Sequence, residues 1–319
     1  MSTQARKPRV ALLLGDPTGI GPEVVAKLLS SADTLARGEV LVIGDRRQYR
    51  RGFEIAGLPE VEIHFEEYGA ADAEYPIGKV SAAAGEYCLG SLRLAVDAMR
   101  AGRVDTVVYA PLNKQAMKVS GMAHEDELHY FASLLEYSDT ISEINVCGDL
   151  WTSRVTSHVP LSAVAGLVTV ERICAVTRLL HQALVSAGIR TPRIAVAAIN
   201  PHAGEGGLFG TEEMTTIGPA VEQLRSSGVN AIGPLPADTL FIAARRGDYD
   251  GVVTMYHDQG QIALKLLGFE RGVTVSGGLP FPITTPAHGT AFDIAGKGIA
   301  DVRAMKEAFA IACRMAAKS

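Results

Sequence analysis

DGVVTMYHDQGQIALK, residues 250–265, holds a short apolar run from Gly251 to Met255, followed at once by Tyr256, His257 and Asp258 and then by a helix-like segment. A run that is apolar throughout, and that short, reads as a strand covered on both faces. Such strands belong to parallel sheets flanked by helices. The same alternation recurs outward from it. Segments 10–14, 40–43, 61–65, 106–109, 154–156, 194–198 and 251–255 are expected strands. Segments 23–29, 85–101, 170–187, 211–227, 237–246 and 301–317 are expected helices. The fold class this predicts is α/β with largely parallel sheets. A chain of 319 residues is long for one core, so two α/β lobes are expected. In open α/β sheets, ligands sit beyond the carboxyl ends of the strands. The loops to inspect are therefore 15–23, 110–114, 200–210 and 256–265.

Composition removes several function classes. Charged residues are 20% of the chain and the net charge is −5, which argues against a broad nucleic-acid-binding face or a polybasic membrane anchor. No apolar run approaches the length of a membrane span, and the basic N-terminal start precedes too few apolar residues for a signal-peptide core. No nucleic-acid or membrane partner is expected, and the expected location is cytoplasmic. Cys88, Cys147, Cys174 and Cys313 are scattered, without a CxxC pair, and read as free thiols of a reducing compartment.

The chemistry gathers in the loops. GDPTGIGPE, residues 15–23, is either a backbone cradle at a helix N-terminus or an ordinary βα turn. NPHAGEGGLFGTEE, residues 200–213, places Gly204, Gly206 and Gly210 in a GxGxxxG pattern, one residue longer than the dinucleotide fingerprint. His202 stands just before those glycines, although a turn needs no histidine. His158, His202 and His257 each follow an expected strand, which would bring three imidazoles to one rim of a sheet. Imidazole suits borderline metals, and three nitrogens leave room for substrate. Their spacings of 44 and 55 residues form no local metal motif, so spacing alone leaves the site open. Asp238 and Asp258 are candidate carboxylates, Asp238 being equally a first-turn helix acid. Lys114 and Lys265 read either as anion partners or as solvated helix residues.

Together these motifs resemble the 4-hydroxythreonine-4-phosphate dehydrogenase (PdxA) family. The resemblance spans nearly the whole chain and is carried by GDPTGIGPEV, APLNKQAM, SHVPL, NPHAGEGGLFGTEE, GPLPADTLF, MYHDQGQIALKLLGF and HGTAFDIAGKG. It implies a two-domain α/β/α fold similar to isocitrate and isopropylmalate dehydrogenases, with 1–120 plus 285–319 forming one domain and 121–284 the other. It implies NAD, bound near Gly204, Gly206 and Gly210, and one divalent metal held by His158, His202 and His257. Zn2+ is the first candidate, with Mg2+, Mn2+ or Co2+ as alternatives. It implies a homodimer with the site at the interface, His257 being contributed by the partner subunit. Lys265, Asp258 and Asp238 take catalytic roles, and His124, Glu125, Lys265, Thr274 and Ile283 fall on substrate positions. The implied reaction oxidises a hydroxyl β to a carboxylate of a small hydroxy acid, which then loses CO2. The default substrate is 4-phosphohydroxy-L-threonine.

Two departures bear on that substrate. Family members acting on the phosphate ester carry asparagine and arginine where this chain has Thr274 and Ile283, and arginine is a strong phosphate partner. Glu125 replaces a threonine after His124. An unphosphorylated cis-dihydrodiol carboxylate or another hydroxy acid is thus an alternative substrate. A binding protein that kept the fold and lost turnover is a third reading.

Overall fold

The computed structural model describes residues 6–317, which form two compact units. One takes the chain up to Ser138, together with Glu270–Thr274 and Leu279–Ser319; the other takes Asp139–Phe269 and Val275–Gly278. The boundaries differ from those expected, because 121–138, 270–274 and 279–284 fall in the first unit. Tyr130 and Phe131 are buried in its core, and Leu279 and Phe281 pack against it.

The first unit contains β1 (Arg9–Leu13), α1 (Gly21–Leu29), α2 (Ala32–Arg37), β2 (Glu39–Gly44), α3 (Arg46–Ala56), β3 (His64–Glu67), α4 (Ala82–Arg100), β4 (Thr106–Tyr109), α5 (Lys114–Val119) and α6 (Glu127–Leu134). The second contains β5 (Ser142–Cys147), β6 (Leu150–Arg154), α7 (Leu161–Leu167), α8 (Val170–Ser186), β7 (Ile194–Ala197), α9 (Gly218–Ser226), β8 (Ala231–Leu235), α10 (Ala237–Arg245), β9 (Gly251–Thr254) and α11 (His257–Gly268). β10 (Val273–Gly277) starts among residues of the first unit and ends among those of the second, and β11 (Ile283–Pro286) and α12 (Arg303–Ala316) return to the first.

In the first unit the strands run in the order β3-β2-β1-β4-β11 and pair in parallel. Leu12 lies opposite Val42 on one side and Val108 on the other, and all three are fully buried. That explains runs without polar alternation: both faces are covered. Short polar side chains start the helices. Asp45 accepts the Arg47 amide at 2.8 Å, Asn113 that of Ala116 at 2.8 Å and Asp126 that of His129 at 2.9 Å. The cysteines form no disulfide; burial pushes the Cys313 thiol up to about 12 and that of Cys88 well above its usual value. No helix among the described residues is long and apolar enough to cross a membrane.

Asp105 ties the start of β1 to β4. Its carboxylate accepts the Arg9 amide at 2.8 Å and Arg9 Nη2 at 2.8 Å. The hydrogen bond from Arg9 holds this carboxyl below the usual range. A group so depressed contributes stability that is complete above its unfolded pKa and is lost as pH falls through its folded pKa. Asp105→Asn should cost about 1–2 kcal/mol at neutral pH. In urea titrations the gap to wild type should close as pH drops below about 4; a gap that persists undiminished into acid would contradict this.

Candidate active site

In the second unit the strand order is β5-β6-β9-β7-β8, with β5 antiparallel to β6 and the remaining pairs parallel. The carboxyl ends of β6, β9 and β7 therefore lie side by side, with β9 between the other two. His158 follows β6, His257 follows β9 and His202 follows β7. The expected common rim is present. It arises because the chain leaves β8 and crosses back over β7 to insert β9 beside β6.

His158 and His257 approach closely, with ring centroids 5.8 Å apart and planes inclined by 45°. His257 opens α11, and its Nδ1 lies 2.7 Å from Asp258 Oδ1. An accepting carboxylate fixes the proton on Nδ1 and leaves Nε2 as the lone-pair nitrogen. This is how a metal-ligating histidine is oriented. His202 is exposed, with its ring 6.2 Å from that of Phe209. Among the described residues, no group of three or more His, Cys, Asp or Glu side chains is gathered closely enough to hold a metal. One chain thus brings two of the three expected imidazoles together.

The loop after β7 departs from its expected form. His202, Ala203, Gly204, Glu205 and Gly206 have φ of 52°, 54°, 79°, 43° and 65°, a run of left-handed residues. Each non-glycine there costs about 1–2 kcal/mol, so something must hold the loop. Glu213 does so from a buried position. Its Oε1 accepts the amides of Ile199 at 2.9 Å and Asn200 at 2.8 Å, and its Oε2 accepts Asn200 Nδ2 at 3.0 Å. A Cβ on Gly204 would stand 2.7 Å from Glu213 Oε2. The chain then passes through a π-helical turn, Glu213–Ile217, before α9 begins at Gly218. A dinucleotide fingerprint needs a tight turn leading straight into an α-helix N-terminus. Gly204, Gly206 and Gly210 do not form one, and they serve the loop's own conformation. Glu213→Ala should raise amide exchange at Ile199 and Asn200 at least about tenfold, from loss of charge-assisted bonds. Unchanged protection at those amides would show that the carboxylate does not hold the loop.

Sequence reasoning missed two side chains that fasten this rim. Gln259, in the first turn of α11, accepts the Met255 amide at 2.7 Å and donates to the Ala198 carbonyl at 2.8 Å, tying the His257 turn to the end of β7. Arg154 is 5% exposed and closes β6, four residues before His158. A lone arginine at the end of a buried strand was the available signal. The β5–β6 hairpin that supplies its partners was also missed. Its two-residue turn is Gly148–Asp149, with Gly148 at φ 59°. β6 accordingly begins at Leu150 rather than near Arg154.

The other expected residues fall as follows. Asp238 is exposed in the first turn of α10, and Asp258 is exposed beside His257. Lys265 is exposed in the last turn of α11, about 12 Å along the helix axis from His257. In the first unit, Lys114 starts α5, 3.7 Å from Glu127. His124 is half-buried, its carbonyl accepting Lys118 Nζ and its ring 5.7 Å from that of Tyr130, while Glu125 is exposed. Thr274 is half-buried on β10. Ile283 is fully buried on β11 in the core of the first unit. In 15–23 the Thr18 amide is taken by Asp16 Oδ1, that of Gly19 by the Asp16 carbonyl and that of Ile20 by the Thr290 carbonyl, which favours the ordinary turn over an anion cradle.

The family model described as "Pyridoxal phosphate biosynthetic protein PdxA" matches residues 36–312. The chain is 50% identical, over 97% of its own length and 97% of the relative's, to the Pseudomonas aeruginosa protein named "Putative 4-hydroxythreonine-4-phosphate dehydrogenase 2". It is 41% identical to the D-threonate 4-phosphate dehydrogenase of Cupriavidus necator, covering 94% of this chain and 95% of that one. The crystal structure of the 4-hydroxythreonine-4-phosphate dehydrogenase of Klebsiella pneumoniae superposes with a TM-score of 0.85 at 36% identity, over 99% of this chain and 100% of that one.

Proposed function

The chain belongs to the PdxA family and is a dehydrogenase, and on that premise we propose that it oxidises a four-carbon phosphorylated hydroxy acid with NAD and a divalent cation. The hydroxyl oxidised is β to the carboxylate, and the β-keto acid then loses CO2. The substrate proposed is 4-phosphohydroxy-L-threonine. D-threonate 4-phosphate, named for the Cupriavidus relative, is of the same chemical class. Ile283 is buried and offers a phosphate no cation, so an unphosphorylated cis-dihydrodiol carboxylate or another hydroxy acid is the alternative substrate.

The observation that carries the reading is the close approach of His158 and His257, with Asp258 orienting the second ring. Two imidazoles and their open surroundings fit a divalent cation; the nitrogen donors suit Zn2+, while Mg2+, Mn2+ or Co2+ would serve where substrate oxygens complete the shell. His202 would supply the third nitrogen where two chains of a homodimer bring the imidazoles together. A cation there lowers the pKa of a bound hydroxyl and stabilises the negative charge left by decarboxylation. The protein's own groups do the rest. NAD, when bound, would accept the hydride from the carbinol carbon, and a carboxylate, Asp238 or Asp258, would take the hydroxyl proton. Breaking the bond to the carboxylate releases CO2 and leaves its electron pair on carbon, where protonation completes the step. Lys265, an exposed cation two turns from His257, neutralises the far end of the substrate or returns that proton. Cysteines without disulfides fit a cytoplasmic setting.

The test is NADH formation by purified protein with Zn2+ or Mg2+. It should be run in parallel on 4-phosphohydroxy-L-threonine, D-threonate 4-phosphate and a cis-dihydrodiol carboxylate. Turnover of a phosphate ester, abolished by a chelator, is the expected result. Turnover of the diol alone would replace the substrate. No turnover of any of the three by protein that binds the metal would leave a binding protein.

A further inference from the structure

We propose that Arg154 is a positioning residue for the histidine pair, its guanidinium fork setting the spacing between His158 and His257. This rests on reading those two rings as ligands of a divalent cation.

Arg154 spends its donors in three directions. Nη2 lies 2.5 Å from Glu143 Oε2, Nη1 lies 2.8 Å from Asn145 Oδ1 and Nε lies 3.0 Å from Ser157 Oγ. Glu143 and Asn145 are two apart on β5 and so share one face of the hairpin. Ser157 immediately precedes His158, so the Nε bond fixes the start of that loop. Asn145 Oδ1 also accepts Gln261 Nε2 at 2.6 Å, and Gln261 stands one turn after His257 on α11. One carboxamide oxygen is therefore shared by the arginine below the His158 loop and by the helix that begins with His257. The sheet does not need this arrangement, because β6 is already paired through its backbone on both sides. A buried guanidinium is costly unless its donors are satisfied. Here two of the three bonds reach a segment that bears on one of the rings, Ser157 before His158 and Asn145 beside Gln261, and the Glu143 carboxylate balances the charge. Arginine's planar fork holds three directions at once, whereas lysine is a point charge on a flexible stem.

The test uses full-length protein and Co2+ as the probe, with affinity read by calorimetry and geometry by the visible d–d spectrum. Arg154→Leu and Arg154→Lys should both weaken Co2+ binding at least about tenfold, the scale found when outer partners of metal ligands are removed. Ser157→Ala, which spares the Glu143 pair, should weaken it about threefold by the same reasoning. Circular dichroism at the titration temperature should show all variants folded. A merely structural charge would lower the Tm and be rescued by lysine, with Co2+ affinity unmoved. Should Arg154→Leu fail to fold, Arg154→Lys and Ser157→Ala decide the matter. Affinities of these variants within about twofold of wild type, against that tenfold scale, would overturn the positioning role alone. A wild-type protein that binds no Co2+ would overturn both this role and the metal reading beneath it.

Discussion

His257→Ala is expected to lower kcat/KM at least about a thousandfold while moving the Tm by less than about 3 °C. A cation at a developing oxyanion contributes several kcal/mol, and about 4 kcal/mol corresponds to three decades of rate. The second half of the expectation comes from where the ring sits. His257 is half-buried, its recorded partners are His158 and Asp258, and it belongs to neither hydrophobic core cluster described for the two units. Removing it leaves no cavity in a core and orphans no buried donor. The check is steady-state NADH formation alongside a melting curve. A variant retaining more than about a tenth of wild-type kcat/KM would show that this imidazole is not a ligand.

Gly52→Ala should destabilise the first unit by about 2–3 kcal/mol, or roughly 5–10 °C in Tm. Two effects oppose each other. Gly52 lies inside α3, where alanine is favoured by up to about 1 kcal/mol. Against this, a Cβ at residue 52 would stand 2.6 Å from the carbonyl carbon of Pro22 and closer still to its oxygen. Both are backbone atoms at the first turn of α1, so no side chain can swing aside. Relief requires the two helices to part along a well-packed contact, and overpacking of this kind costs more than propensity returns. An unchanged or raised Tm would mean that the helices separate freely and that propensity wins.

Much of this molecule could be read before folding was considered. Gly251–Thr254 and Thr106–Tyr109 are apolar apart from one threonine each because both faces are covered, and that leaves its mark in one dimension. The starts of α3, α5 and α6 were not among the expected helices, yet they were readable in principle because capping is a matter of neighbours: Asp45, Asn113 and Asp126 bond amides two or three residues on. The β5–β6 hairpin was also readable in principle, since Ser142–Cys147 alternates buried and half-buried positions and runs into a glycine turn.

What sequence could not carry was everything set by partners distant in the chain. It determined that His158, His202 and His257 each follow a strand; the tertiary structure decided that β9 lies between β6 and β7 and brings two of those rings within 5.8 Å. Strand patterns record burial, not which strand is the neighbour. Asn200–Gly210 has glycines near the dinucleotide spacing, yet it forms a left-handed loop whose start is tied to Glu213, and that facing is visible only once the chain has folded. Ile283 was expected at a substrate position, and the fold places it in a core. Sequence determined periodicity and caps because those are local contests between neighbouring residues. Strand order, loop hand and the facing of a side chain were decided by contacts that exist only after the chain has closed on itself.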